Sequence, residues 1–187
     1  MKNSKFLSLM IVAAAMIFSV SAFGQTEKTV MVGGAAMYPS KNIIENAANS
    51  KDHTTLVAAV KAAGLVETLS GKGPFTVLAP TNEAFDALPS GTVENLLKPE
   101  NKEMLTKVLT YHVVPGSITS RDIWNMIKKG GGKAMVKTVQ GEELTFMGKG
   151  KNIWIMDAKG GKAKITIADV GQSNGEIHVI NAVLMPN

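Results

Sequence analysis

The segment from Gly73 to Phe85 leaves the backbone little choice. Phe75, Val77 and Ala79 alternate with Thr76 and Leu78, the period-two pattern of a half-buried strand. Pro80 stops that strand, because it has no N–H to offer a ladder. Thr81 or Asn82 can then cap a helix, a short side-chain oxygen accepting from the free N–H groups of the first turn. Glu83 falls in that turn, where the helix dipole favours an anion. Strand, corner and helix must follow one another here, and no obvious catalytic group lies among them.

The beginning of the chain sets the expected compartment. Lys2 and Lys5 precede an apolar run from Phe6 to Val20, and small residues follow at Ser21, Ala22 and Gly24. This order is that of a secretory signal peptide, expected over residues 1–24 with cleavage after Gly24. The run is short for a transmembrane span, which needs about 20 residues, and no later segment is long and apolar enough for one. Without a cysteine, a lipid-anchored lipoprotein is excluded, as are cysteine redox catalysis and cysteine–zinc sites. Export usually permits disulfides, so this fold must rest on core packing alone. Of the net charge of +5, Lys2 and Lys5 leave with the signal and no acid does. The remaining mild basicity points to no particular partner.

What remains has the size of one domain. Residues 25–40, with Gly33-Gly34 and Pro39, read as an irregular N-terminal arm, and residues 41–187 as the domain proper. Helical spacing begins at Asn42. It is clearest where Leu56, Val57, Val60 and Ala63 recur between Thr54 and Gly64, a glycine placed to close the helix. Leu65 to Leu69 reads as a short apolar turn ended by Ser70-Gly71, and further short helices are expected at 92–97 and 99–109. Thr119 to Asp122 forms a capping box for another, ending near Lys128. Tyr111 to Val114 reads as a strand stopped by Pro115-Gly116. After Gly130-Gly131-Gly132 come short alternating runs at 135–139, 143–147, 152–156, 164–168, 176–180 and 182–185, separated by glycine-rich turns. Helices early and strands late imply an α+β domain around one core.

Three segments together resemble the fasciclin domain. They are Phe75 to Phe85, Leu109 to Gly116 (with Tyr111-His112-Val113-Val114-Pro115), and Ser173 to Pro186 (with Asn174-Gly175-Glu176-Ile177-His178-Val179). Their order and spacing are also similar to that family, and the likeness runs from about Asn42 to Pro186. The resemblance implies an α+β, fasciclin-like fold of wedged antiparallel β-sheets with several helices packed on one side. It implies a secreted, non-enzymatic module of cell adhesion or matrix attachment. Where many relatives carry Asp after the His-Val-Ile run, this chain has Asn181.

Thr81, Asn82, Phe85, Asn174, Gly175 and His178 are expected to be structural members of these motifs. Asn174-Gly175 makes a turn in which Gly175 is free to take positive φ. Tyr111-His112 matches a segment linked to integrin binding in some animal relatives. Asp169-Val170 matches an Asp-Ile pair used in the same way, with a shorter branched residue here. All four are candidates for partner contact. The bland alternative is a buried imidazole hydrogen-bonded to backbone and a solvated acid, and it is favoured for each. His53 is expected at an exposed helix start. No two histidines stand at i, i+3 or i, i+4, so nothing in the spacing makes a metal site, and no cofactor is implied. No Gly-x-Ser-x-Gly elbow or complete phosphate loop occurs.

Lys133, Lys149, Lys151, Lys159, Lys162 and Lys164 crowd the second half. In loops they could attract an acidic polysaccharide, or they could simply be solvated. The aromatic interleaving of a nucleic-acid platform is missing, so no nucleic acid is expected, and Trp124 and Trp154 are expected in core or rim packing. The leading expectation is a binding module attaching to a cell-surface or matrix protein or polysaccharide. An acidic-polysaccharide binder acting through lysine loops comes second. An envelope hydrolase using His112 or His178 as base comes last.

Overall fold

A computed structural model describes residues 27–187; the expected signal peptide lies outside them. The chain opens with a hairpin, β1 (Val30–Val32) and β2 (Ala35–Met37), turning through Gly33 and Gly34 at positive φ. The irregular arm expected over 25–40 is thereby corrected. The hairpin buries Val32 and Met37, and Asn46 fixes it from below. That fully buried amide accepts from Tyr38 N at 3.0 Å, donates to Tyr38 O at 2.8 Å, and donates to Gln172 Oε1.

Six helices follow, interrupted by one strand. They are α1 (Ile43–Ala47), α2 (Thr54–Ala63), α3 (Val66–Ser70), then β3 (Phe75–Pro80), then α4 (Asn82–Asp86), α5 (Thr92–Leu96) and α6 (Lys102–Tyr111). Asn42 and Glu45 form a capping box on α1, and Gly64 closes α2 at φ 74°. Helix α6 runs through Tyr111, so strand β4 is only Val113–Pro115 rather than starting at Tyr111. Then come α7 (Ser120–Lys129), opened by the Thr119–Asp122 capping box, and β5 (Lys133–Lys137), β6 (Glu143–Lys149), β7 (Asn152–Met156), β8 (Lys162–Gln172) and β9 (Gly175–Ile180). Residues 182–185, expected as a strand, form an irregular tail.

One seven-stranded sheet has the order β4-β3-β9-β8-β7-β6-β5. All its pairs are antiparallel except β3 with β9, which run parallel from Phe75↔Gly175 to Pro80↔Ile180. The half-buried reading of β3 is corrected with it: residues 76 to 80 are all buried. Such continuous burial is the mark of a strand covered on both faces. Val77 and Ala79 enter a core shared with α1, α2, α4 and α6. Leu78 enters a second core shared with α7 and strands β5 to β8. Strand β9 divides in the same way, Ile177 and Val179 to the first core and Ile180 to the second. Two cores on the two faces of a central strand pair replace the single core expected.

Candidate functional site

The three sequence segments come together as three neighbouring strands. Phe75 to Pro80 is β3, Val113 to Pro115 is β4 on one side of it, and Gly175 to Ile180 is β9 on the other. Their polar side chains act as brackets. Thr81 caps α4, its Oγ1 accepting from Ala84 N at 3.3 Å. Asn82 is not that cap. Its Oδ1 accepts from Thr55 N at 3.0 Å, holding the first turn of α2, and its Nδ2 donates to Lys51 O at 2.8 Å. Phe85 packs into the first core. Asn174 reaches further. Its Oδ1 accepts from Ile43 N at 3.0 Å, and its Nδ2 donates to Leu69 O at 2.8 Å and Gly71 O at 2.9 Å. One amide thus ties the start of α1 to the end of α3. At Gly175, φ is 155°, and a Cβ would lie 1.9 Å from Phe75 O. Only glycine permits that approach.

Tyr111 and His112 weld the end of α6 into the molecule. The Tyr111 hydroxyl donates to Glu143 O at 3.1 Å and accepts from Ala158 N at 3.0 Å, with the ring fully buried. His112 donates from Nδ1 to Val108 O at 2.8 Å and accepts at Nε2 from Leu184 N at 3.0 Å, a tautomer assigned from its partners. Burial pushes its pKa down to about 4. His178, also fully buried, accepts at Nδ1 from Asp169 N at 3.2 Å and donates from Nε2 to Ile118 O at 2.8 Å. Burial lowers its pKa as well. Both nitrogens of each ring are committed to backbone, which leaves neither imidazole a lone pair for general-base work. His53 is buried rather than exposed. Its Nδ1 meets Ser50 Oγ at 2.9 Å, and burial lowers its pKa.

Asp169 sits in β8 at φ 58°, within the register shift between Ile167 and Val170 opposite β9. Its carboxylate accepts from Ser120 N at 2.6 Å and Ser120 Oγ at 2.5 Å, at the N-terminus of α7. It is exposed, whereas Val170 beside it is buried in the first core. Partner contact at Tyr111, His112 and Val170 is therefore corrected by their burial.

Sequence reading missed three brackets. Thr76 Oγ1 donates to Gly116 O at 2.6 Å and accepts from Ile118 N at 2.8 Å. Asp157 accepts from Gly161 N at 2.6 Å and Met185 N at 3.0 Å, which pins the C-terminal tail. Gln172 is the third, bonded to Asn46. No local signal marked Thr76, a polar residue on the side that strand alternation leaves open.

The lysines lie mainly on strands rather than in loops. Lys133 is on β5, Lys149 ends β6, and Lys162 and Lys164 are on β8; only Lys151 and Lys159 occupy turns. Trp124 packs against Gly148 beneath the sheet, while Trp154 is on the opposite, outer face. Among the described residues no group of three His, Asp or Glu side chains could hold a metal ion, and no helix is long and apolar enough to cross a membrane.

Known proteins share this arrangement. The family model for the fasciclin domain matches residues 51–186. Protein sll1483 of Synechocystis sp. is 51% identical over 161 residues, covering 86% of this chain and 82% of that one. The transforming growth factor-beta-induced protein ig-h3 of Sus scrofa is 38% identical over 131 residues, covering 70% of this chain and 17% of that much longer protein. In structure the chain is similar to a FAS1 domain pair from the insect cell adhesion molecule Fasciclin I. The TM-score is 0.54 at 24% identity, over 70% of this chain and 43% of the pair. With its three signature segments side by side as β4, β3 and β9 at one end of the sheet, and with the family model matching residues 51–186, this chain belongs to the fasciclin domain family.

Proposed function

We propose that this chain is a secreted, non-enzymatic binding module that attaches to a cell surface, an extracellular matrix or a partner protein. One observation carries the reading. The side chains that could do chemistry, His112, His178 and Tyr111, face inward and hold backbone, which leaves the exposed surface to act by contact. The similar insect domain pair comes from a cell adhesion molecule, which agrees with attachment. Asp169 remains exposed beside α7, and any partner contact there competes with its bonds to Ser120.

Attachment is tested by co-sedimentation of the purified protein with native cell-envelope material. Binding is expected, and it is expected to survive His53→Ala in protein that still folds. Fractionation should place the chain outside the cytoplasm. Hydrolytic turnover of an envelope substrate that disappears in a folded His112→Asn variant would overturn the non-enzymatic reading.

A further inference from the structure

The register of the far half of the sheet composes a surface that no single stretch of sequence shows. Lys133, Met147, Trp154 and Lys164 are successive cross-strand partners from β5 to β8. The next row is Met135, Thr145, Met156 and Lys162, and a partial row adds Lys149 beside Asn152. Residues directly paired across a sheet share a face. This face is the outer one, because Leu144, Phe146, Ile153, Ile155, Ala163 and Ile165 fill the second core from the other side. Strands lie about 4.8 Å apart, so Lys133 and Lys164 stand about 14 Å from each other with a thioether and an indole between them. Met135 is 67% exposed. At the β5 rim an open groove of about 640 Å³ is lined by Met126, Lys129, Lys133, Met135, Thr145 and Met156, with no acid in its wall.

The charge on this face is uncompensated. The one ion pair among the described residues is Lys107 with Glu142, which lies elsewhere. Glu143, opposite Lys137, is the only acid in the paired rows. We propose that the outer face of β5–β8, with the groove at its β5 rim, binds an anionic polysaccharide. The inference rests on the attachment reading and names its surface and ligand class. Three features select this occupant. The cations are all lysines, point charges that match repeated carboxylates or sulfates without the forked geometry by which arginine reads a single phosphate or carboxylate. The face runs continuously across four strands to an open groove at its rim, and it suits an extended chain better than a folded domain. Trp154 lies half-buried between Met147 and Lys164, its Nε1 enclosed and without a partner, and the part of its ring that remains exposed can meet the C–H face of a sugar while nearby ammonium groups take the acids.

The test uses the purified protein with heparin and alginate as probes and uncharged dextran as the control polymer. Saturable binding to the two anionic polymers is expected, weakening steeply as salt rises because screening acts over roughly 8–10 Å. The triple substitution Lys133→Gln/Lys162→Gln/Lys164→Gln should weaken it at least about tenfold. A charge-matched triple on the helical side, Lys61→Gln/Lys98→Gln/Lys102→Gln, should leave it within about twofold. In a Trp124→Phe background, Trp154 emission should change on binding. Circular dichroism confirms folding, and Lys162→Gln/Lys164→Gln serves if the first triple does not fold. Equal weakening by both triples, absence of saturable binding at low salt, or tighter binding of poly-glutamate or single-stranded DNA at matched salt would each overturn the proposal. If the wild-type protein fails to co-sediment with envelope, the attachment reading falls. If it co-sediments and the folded lysine triple does so equally, the polysaccharide face alone falls.

Discussion

Asn174 makes three hydrogen bonds from one part-buried side chain to groups more than 100 residues away. Each is worth about 1 kcal/mol net, and the groups left behind would be poorly solvated. Asn174→Ala should therefore cost about 2–4 kcal/mol, seen as a lowered urea midpoint at unchanged slope. A loss below about 0.5 kcal/mol would show that water replaces all three bonds. Asn174 and Thr81 differ in how far sequence could reveal them. Thr81 bonds three residues ahead, and a local pattern announces a local bond. The partners of Asn174 are set by the tertiary fold, so only its neighbour Gly175 could be read, through its turn. Asn82 fell between these cases. It is a cap, but for the first turn of α2 rather than the helix it begins.

Helix α7 shows how an element is held from outside itself. Its own capping box, Thr119 with Asp122, was legible because both residues lie within one turn. Asp169 was legible only as a site residue, because its contact with Ser120 spans 49 positions. A carboxylate at a helix N-terminus is favoured by the dipole and by charge-assisted bonds. Asp169→Ala should speed amide exchange at Ser120 through Ile123 and destabilise the protein by about 1–2 kcal/mol. Asp169→Asn, which tolerates the left-handed backbone and keeps one acceptor, should recover part of that. Unchanged exchange in the alanine variant would remove Asp169 from this role. The parallel pairing of β3 with β9 was the largest misreading at this scale. Short strands in series look antiparallel, and nothing local marks two strands 100 residues apart as partners. The burial of both Thr76 and Leu78 records that pairing, but Thr76 looks polar enough in sequence to suggest an open face.

Across the whole molecule, three buried histidines make stability depend on pH. The folded pKa of His112 is about 4, below its usual 6.5, and those of His178 and His53 are also lowered by burial. The unfolded chain then binds more protons below about pH 6.5, so stability is full above that value and is lost as pH falls towards 4. His112 alone accounts for about 3 kcal/mol of that loss. Glu176, whose carboxyl is raised by burial, offsets part of it. Asp122, held low by the Thr119 hydroxyl, and Glu142, held low by the Asn187 N–H, give way only at lower pH. Urea midpoints at pH 7, 5.5 and 4.5 should fall in that order, and His112→Asn should flatten the trend. A flat profile in the wild-type protein would contradict the neutral burial of these rings.

The sheet order places β9, the last strand made, between β3 and β8 at the middle of the fold. During synthesis, then, β3 and β8 wait for a partner that has not yet emerged, and without Ile177, Val179 and Ile180 the nascent chain has neither core sealed. Emergence of β9 acts as the trigger for folding. A chain stopped before Gly175 should be cut by protease along its whole length, where the chain that includes β9 resists.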